Sequence, residues 1–526
     1  MKRSSSDIMR RVGSKDTAPE LAMRRILREM GLRYRLHCRD LAGRPDIVLS
    51  RSRVAIFVDG DLWHGGQWMR RGLASVEEQF HGENREYWVR KIRRNMLRDL
   101  RITTTLLNAG WRVLRLWESS IATSPVTMTE VMRRMIGNSA NGTVVSRLPL
   151  LTFSEYFAGI GLMRMGLEAE RWTIAFANDI DPRKREMYGA HFADADEHFV
   201  LDDINALDHT SIPTTTLATA SFPCTDLSLA GGRRGLDNGE SSAFWGFART
   251  LEAMGDRRPP LVLLENVPGF LTSHGGADFE KALNALNELG YAVDSFQIDA
   301  SRFVPQSRQR LFVVGVRDGD IQRDDVMEDL LLEESELRPA SLARFIRTHP
   351  DIRWRIRRLP DLPRRDRELR DIIENLPEDA SEWWSDDRAL YLLNQMSPRH
   401  RRLADQLIEE KRFTYGTVFR RMRKEKSMAE LRVDGVAGCL RTPRGGSGRQ
   451  IIVRMGKGSF RARLLTPREA ARLMGADDFV IETTTNKALF GFGDAVCVPV
   501  ISWIARYYLA PLITELIHDR PLVQEG

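Results

Sequence analysis

The alternation of apolar and polar positions divides the chain into stretches of different period. Glu20-Leu-Ala-Met-Arg-Arg-Ile-Leu-Arg-Glu-Met30 repeats with a helical period, and Gly31 is a stop. Asp46-Ile-Val-Leu-Ser50 and Val54-Ala-Ile-Phe-Val58 predict a strand pair. Trp88 to Leu107 predicts a long arginine-rich helix, and Trp111-Arg-Val-Leu-Arg-Leu-Trp117 a third strand. Periodicity then lapses from Ile136 to Pro149, where Gly137, Asn138, Ser139, Asn141 and Gly142 predict an interdomain linker. From Leu150 to Arg317 apolar strands alternate with helices, the pattern of a doubly wound parallel sheet. Residues 318–436 are highly charged, with few strand signals and a Trp383-Trp384 pair; from Val436 the earlier pattern resumes, and no internal repeat is present.

Composition narrows the class of protein. With 526 residues the chain is long enough for two to four domains. A net charge of +7 suits a polyanionic partner such as DNA, because Lys and Arg displace phosphate counterions. The four cysteines, Cys38, Cys224, Cys439 and Cys497, form no Cys-x-x-Cys pair, which argues against zinc knuckles and a secreted disulfide framework. No apolar stretch approaching the roughly 20 residues of a membrane span is expected. Met1-Lys-Arg-Ser-Ser-Ser6 has no apolar signal core, so a reducing cytoplasm is the expected location.

Three strand edges carry the chemistry of the longer segment. Cys224 follows the apolar stretch Leu217 to Phe222, Glu265 ends Leu261-Val-Leu-Leu-Glu265, and Arg308 and Arg310 precede Leu311-Phe-Val-Val-Gly-Val316. A thiol, a carboxylate and two guanidiniums can attack, protonate and grip a polarised ring. Phe153-Ser-Glu-Tyr-Phe-Ala-Gly-Ile-Gly161 reads as a glycine-rich turn from strand to helix.

In this order, over residues 150–510, the segments resemble the DNA cytosine-5 methyltransferase family. Phe157-Ala-Gly-Ile-Gly161 is similar to its S-adenosylmethionine loop, Phe222-Pro-Cys224 to its nucleophile motif, Glu265-Asn-Val267 to its acid motif and Gln306-x-Arg308-x-Arg310 to its arginine motif. Leu465 to Gly475 and Gly491-Phe-Gly-Asp-Ala-Val496 are similar to its last motifs. The resemblance implies that Cys224 is the nucleophile, that Glu265 holds cytosine N3, and that Asn266 braces the backbone around Pro223 and Cys224. It also places Arg308 and Arg310 at the base edge and thiol, with Arg310 closer. Phe157, Gly159, Gly161, Asn178, Asp179, Asp203, Ile204 and Asp494 are the expected cofactor contacts. Thr225, Ala230 and Asp494 depart from the family's usual Gln, Ser and Asn. The base must be flipped from the duplex, and the loop Gly231 to Gly239 is placed to close over the minor groove.

The N-terminal strands end in acids and a histidine: Asp46, Asp59 and His64. Hard oxygen ligands and a base suit a magnesium-dependent phosphodiesterase. With Ser14 to Glu20 and Gly110 to Glu118, residues 8–122 resemble the very short patch repair endonucleases, which nick DNA beside T·G mismatches left by deaminated 5-methylcytosine. The resemblance implies a metal held by Asp46 and the Val58 carbonyl, a catalytic His64, and Glu20 beside it. Asp59, where the family often has His, is expected to add a carboxylate to the metal. Leu62, Trp63 and Trp88 match the wedge that pries into the mismatch. The family's structural zinc ligands are replaced by Gly66, Trp68 and Ser119, so no zinc is expected.

The expected architecture is α/β throughout. A restriction-endonuclease-like domain spans 1–136 and a linker 137–149; a Rossmann-like methyltransferase domain spans 150–317 and 437–526, with a smaller target-recognition domain at 318–436. Its partner is double-stranded DNA, with no membrane; a cognate restriction endonuclease or mismatch-repair proteins are further candidates, and a monomer is expected. The alternatives are a restriction nuclease cutting unmethylated sites, an inactive DNA-binding relic of the nuclease, and a regulator using both folds without chemistry.

Overall fold

The computed structural model describes residues 16–71, 73, 76–82, 84–123, 128–129, 132, 145–146, 151–223, 243–317, 334–423, 426–442 and 449–513. Two compact units are resolved: residues 1–152 with 208–216 and 250–259, and the remainder of the chain.

In the first unit, α1 (Ala18–Glu29) starts where Thr17 accepts a hydrogen bond from the Glu20 amide, with a proline in the first turn. Gly31, at φ 71°, follows its end. Strands β1 (Arg35–Leu36), β2 (Ile47–Leu49), β3 (Val54–Asp59), β4 (Arg112–Trp117) and β5 (Val145–Ser146) form one sheet in chain order. β2 and β3 are antiparallel; β4 runs parallel to β3, after the crossover helix α2 (Arg85–Asn108). The period of two sends Val54 and Ile56 to one face, against Met23, Ile26 and Leu27 of α1. Ala55 and Phe57 point to the other face, against Leu106. β5 lies inside the stretch expected to be a linker and pairs with Leu114 and Arg115. Val-Ser is too short to register as a strand in a Gly- and Asn-rich context; the neighbouring strand edge selects it.

The second unit holds a seven-stranded sheet of order β11-β12-β10-β9-β6-β7-β8. Its members are β6 (Thr152–Tyr156), β7 (Thr173–Asp179), β8 (Phe199–Leu201), β9 (Leu217–Ala220), β10 (Leu261–Asn266), β11 (Tyr291–Asp299) and β12 (Gln309–Arg317). β6, β9 and β10 are parallel neighbours, whereas β12 is antiparallel to both β10 and β11. The expected parallel sheet therefore gains an antiparallel margin. Chain order reverses at β6, with β7 on one side and β9 on the other, so a crevice opens beyond its C-terminal end.

The described residues of 318–436 pack in two places. Gln297 and Val293 of β11 donate to the carbonyls of Leu337 and Arg353, and Arg338 is ion-paired with Asp294, so this part belongs to the large sheet's edge. A separate four-stranded antiparallel sheet, β14-β13-β15-β16, consists of β13 (Thr414–Arg423), β14 (Lys426–Arg432), β15 (Ile451–Gly456) and β16 (Ser459–Leu464). It shares a core with Trp384 and with Leu392, Leu393 and Ala404 from two helices. Because β13 pairs with β15, the boundary expected at 436/437 falls inside this sheet. High charge reports solvent exposure of one face and does not identify the sheet that a segment joins.

The C-terminal run Thr485–Ile513 is long and apolar enough to cross a membrane, contrary to expectation, but it is mostly buried within the protein. That is the condition of an interior helix.

Candidate active sites

The turn after β6 is built to admit a ligand. Phe157 has φ 56°, Gly159 59° and Gly161 87°. A side chain at Gly161 would put its Cβ 2.4 Å from the Phe192 ring and 2.8 Å from the Tyr188 ring. Asp179, at the end of β7, accepts the Gly159 amide at 2.8 Å and the Asp181 amide at 2.9 Å, so it shapes the loop as well as facing the crevice. Asn178 is buried, and its Nδ2 donates to the Val200 and Asp202 carbonyls, which joins β7 to the turn after β8. Asp203 is exposed and caps the turn Ile204–Ala206, while Ile204 is buried. Asp494 pairs with Lys184 at 3.1 Å. Ile180, which the sequence reading passed over, is 65% exposed between two aspartates, an apolar surface beside the crevice.

Cys224 and the loop Gly231 to Gly239 lie outside the described residues, as do Thr225 and Ala230. The approach to Cys224 is described. Phe222 is buried against Phe244 and Phe270, and Asn266 Nδ2 donates to its carbonyl at 3.2 Å. β9 and β10 are parallel neighbours, so the segments after Ala220 and after Asn266 emerge from the same sheet edge.

Glu265 and Arg310 meet at this edge, with Arg310 Nε 2.9 Å from Glu265 Oε1. Glu265 pairs with Phe312 in the ladder, which makes Arg310 its diagonal neighbour on the same face. Arg308 does not face the base edge. It is 2% exposed and donates to the carbonyls of Leu440, Gly493 and Ala495 and to Cys439 Sγ. Gln306, fully buried, donates to the Leu473 carbonyl and accepts the Leu440 amide. The two residues fasten distant chain segments behind the site. The sequence reading also missed Cys439. Burial works against its ionisation, but the guanidiniums of Arg308, Arg310 and Arg441 outweigh burial and hold the thiol below its ordinary range.

The N-terminal site contains two carboxylate clusters. Glu20 and Asp16 both bind the Arg24 guanidinium, at 2.9 and 2.5 Å, and His37 lies 3.9 Å from both Glu20 and Asp46. Burial pushes the Asp46 carboxyl up to about 6, with the charges of Glu20 and Asp59 adding and the Val58 amide opposing. His64 Nδ1 is 2.5 Å from Asp99 Oδ2 and 3.4 Å from Asp59 Oδ1. Asp99, on α2, was not singled out in the sequence; it sits mid-helix among arginines and only the packing of α2 brings it to His64. Both oxygens of Asp59 bind Arg115, at 2.7 and 2.9 Å, and Asp59 also groups with His64 and Asp99, whose ligand atoms lie close enough together to hold a metal ion.

Trp63 and Trp88 lie 5.9 Å apart, with Lys91 over both rings, while Leu62 is half-buried beside them. Where the resembling family binds zinc, Gly66 abuts the Trp117 ring, Trp68 is buried with Val76, Ile92 and Met96, and Ser119 donates to Asp61 at 2.7 Å. These residues offer no tetrahedral donor set.

Two family models match the chain: C-5 cytosine-specific DNA methylase over residues 151–509, and DNA mismatch endonuclease Vsr over residues 1–70. A type II nicking enzyme of Neisseria meningitidis serogroup C is 38% identical over 123 residues, which is 23% of this chain and 79% of that protein. A type II methyltransferase of Lactococcus lactis subsp. cremoris is 26% identical over 432 residues, 80% of this chain and 94% of that one. Among solved structures, the S. pombe Dnmt2 methyltransferase aligns at 18% identity and a TM-score of 0.44, covering 70% of this chain and 98% of that one.

Proposed function

Since the chain belongs to the C-5 cytosine-specific DNA methylase family and carries an N-terminal Vsr mismatch endonuclease domain, we propose that it methylates cytosine in duplex DNA and nicks the T·G mismatches that deamination leaves there. The observation that carries the first half is the Glu265–Arg310 pair at the sheet edge from which Phe222 and Pro223, the residues preceding Cys224 in sequence, emerge.

S-adenosylmethionine would be held by the Phe157–Gly161 turn, Asp179, Asp203 and Ile180, and would supply the methyl group. Once the base is flipped out, the Cys224 thiolate adds to C6 of cytosine and makes C5 nucleophilic. Glu265, held by Arg310, binds N3 and favours electron flow from C6. C5 gains the methyl group and loses its proton to a base, and elimination across C5 and C6 frees Cys224. Asn266 fixes the strand exit so that the thiol approaches the ring from one direction.

The nuclease half rests on His64, which is held at Nδ1 by Asp99 and would act through Nε2 on a water or a phosphate oxygen. Asp46, with the Val58 carbonyl, would hold Mg2+, whose charge supports attack on a phosphodiester. Leu62, Trp63 and Trp88 would enter a base step, and a mismatched step is the least costly to unstack.

DNA containing 5-fluorocytosine at the methylated site tests the first half, because C5 cannot lose fluorine. A covalent adduct at Cys224 is expected, and its absence on a site mapped by bisulfite sequencing refutes the mechanism. For the second half, duplexes with a T·G mismatch in that site should be nicked faster than matched, unmethylated ones. Equal cutting makes the module a restriction nuclease, and no cutting of either makes it a DNA-binding relic.

A further inference from the structure

Of the seven residues from Trp111 to Trp117, only Arg112 and Arg115 are charged, and Arg115 is 6% exposed in the middle of β4. A guanidinium in a buried strand loses its hydration, and the loss is offset only where carboxylates and good geometry replace the water. Arg115 has both. Its Nε and Nη2 form a fork on Asp59 at 2.9 and 2.7 Å, and Nη2 also lies 3.0 Å from Asp99 Oδ1. Its plane lies against the Phe57 ring, 4.5 Å from the centroid. Asp59 and Asp99 are each 3% exposed, and both reach Nδ1 of the same imidazole, His64.

We propose that Arg115 is a positioning residue of the nuclease site: by binding Asp59 and the Oδ1 of Asp99 together, it aims Asp99 Oδ2 at His64 and fixes the imidazole for work at Nε2. The proposal rests on the nicking reading above. Two buried carboxylates around one imidazole repel each other, and without a cation between them they would turn apart. The guanidinium fork is the geometry that can hold both, which a point charge cannot. Stability alone does not account for the arrangement, because a buried charge network of this kind is commonly no more stable than an apolar replacement of similar volume. The trio also gives Asp59 a role: it is the second anchor of Arg115.

The test compares full-length wild type, Arg115→Lys, Arg115→Met and the double variant Asp59→Leu with Arg115→Leu. The double removes one charge of each sign and leaves Asp99 its contact with His64, so it carries the test if Arg115→Met does not fold. It should melt at or above the wild-type temperature and nick mismatched duplex about 100-fold more slowly in kcat, the scale of loss from a misplaced catalytic group, with KM changed by less than about threefold. Arg115→Lys should fall between the double and wild type. Nicking by the double within about threefold of wild type would reduce the trio to a structural role and overturn the proposal. If the wild type nicks no duplex, the nicking reading has failed, but the positioning claim remains open to 15N-histidine spectra of the same proteins. One imidazole should show the Nδ1–H tautomer in wild type and lose it in the double. An unchanged signature overturns the proposal.

Discussion

Glu155 is a buried acid in β6, directly before the glycine-containing turn Phe157–Gly161, and burial pushes its carboxyl up to about 8, with Glu168 and Asp179 adding and Arg164 opposing. Its unfolded value is about 4.5. Between those values the unfolded chain is ionised at this position and the folded chain is not, so unfolding releases a proton. This contribution to stability is complete below the unfolded value and declines by about 1.4 kcal/mol per pH unit as pH rises through the window. Glu155→Gln should therefore flatten the fall in melting temperature between about pH 5 and pH 8; parallel curves for variant and wild type would show that Glu155 is not the group responsible. The same scale separates the two arginines of one motif. Arg308 and Arg310 are two residues apart, yet the first ends among backbone carbonyls of the C-terminal segments and the second on Glu265. Spacing placed both near the site, but their different roles depend on which chain segments pack above each.

At the scale of elements, the turn between β6 and the helix Leu162–Glu168 combines backbone conformation with close packing. Gly161 is at φ 87°, and a Cβ there would meet the rings of Phe192 and Tyr188. Gly161→Ala should cost about 2 kcal/mol or more, the sum of a left-handed backbone penalty and overpacking. Displacement of the turn should also weaken S-adenosylmethionine binding by about tenfold, measurable by calorimetry. Unchanged affinity and melting temperature would mean that the turn relaxes freely. The strands were legible because each is a compact apolar run: Val54 to Val58 in the reading became Val54–Asp59, and Trp111 to Trp117 became Arg112–Trp117. The small antiparallel sheet was not legible. Its strands carry arginines on both faces, Arg421 exposed and Arg454 and Arg463 buried, and cross a boundary drawn from charge, so neither composition nor period marked β13 and β14.

At the scale of the molecule, the two candidate sites lie on separate sheets in separate units. Asp46→Ala in the full chain should abolish nicking and leave methylation within about threefold of wild type, and Cys224→Ser should do the reverse. Paired nicking and bisulfite assays on one preparation check both directions. Loss of both activities in either variant would show that the two chemistries are coupled. The grouping of residues 208–216 and 250–259 with the N-terminal unit is the feature that makes this outcome worth measuring, because no sequence boundary isolates the units completely.

The sequence by itself determined the two chemistries, because the thiol, acids, histidine and glycine turn occupy fixed offsets from apolar runs that any reader can count. It also determined the order of the main strands, since burial enforces period and length locally. Only the tertiary structure decided which charged groups face one another. Asp99 reaches His64 across 35 positions, and Arg115 reaches Asp59 across 56. Arg308 reaches Ala495 across 187. Such pairings depend on sheet register and helix packing, which long-range contacts fix, and a buried charge carries no local pattern to name its partner.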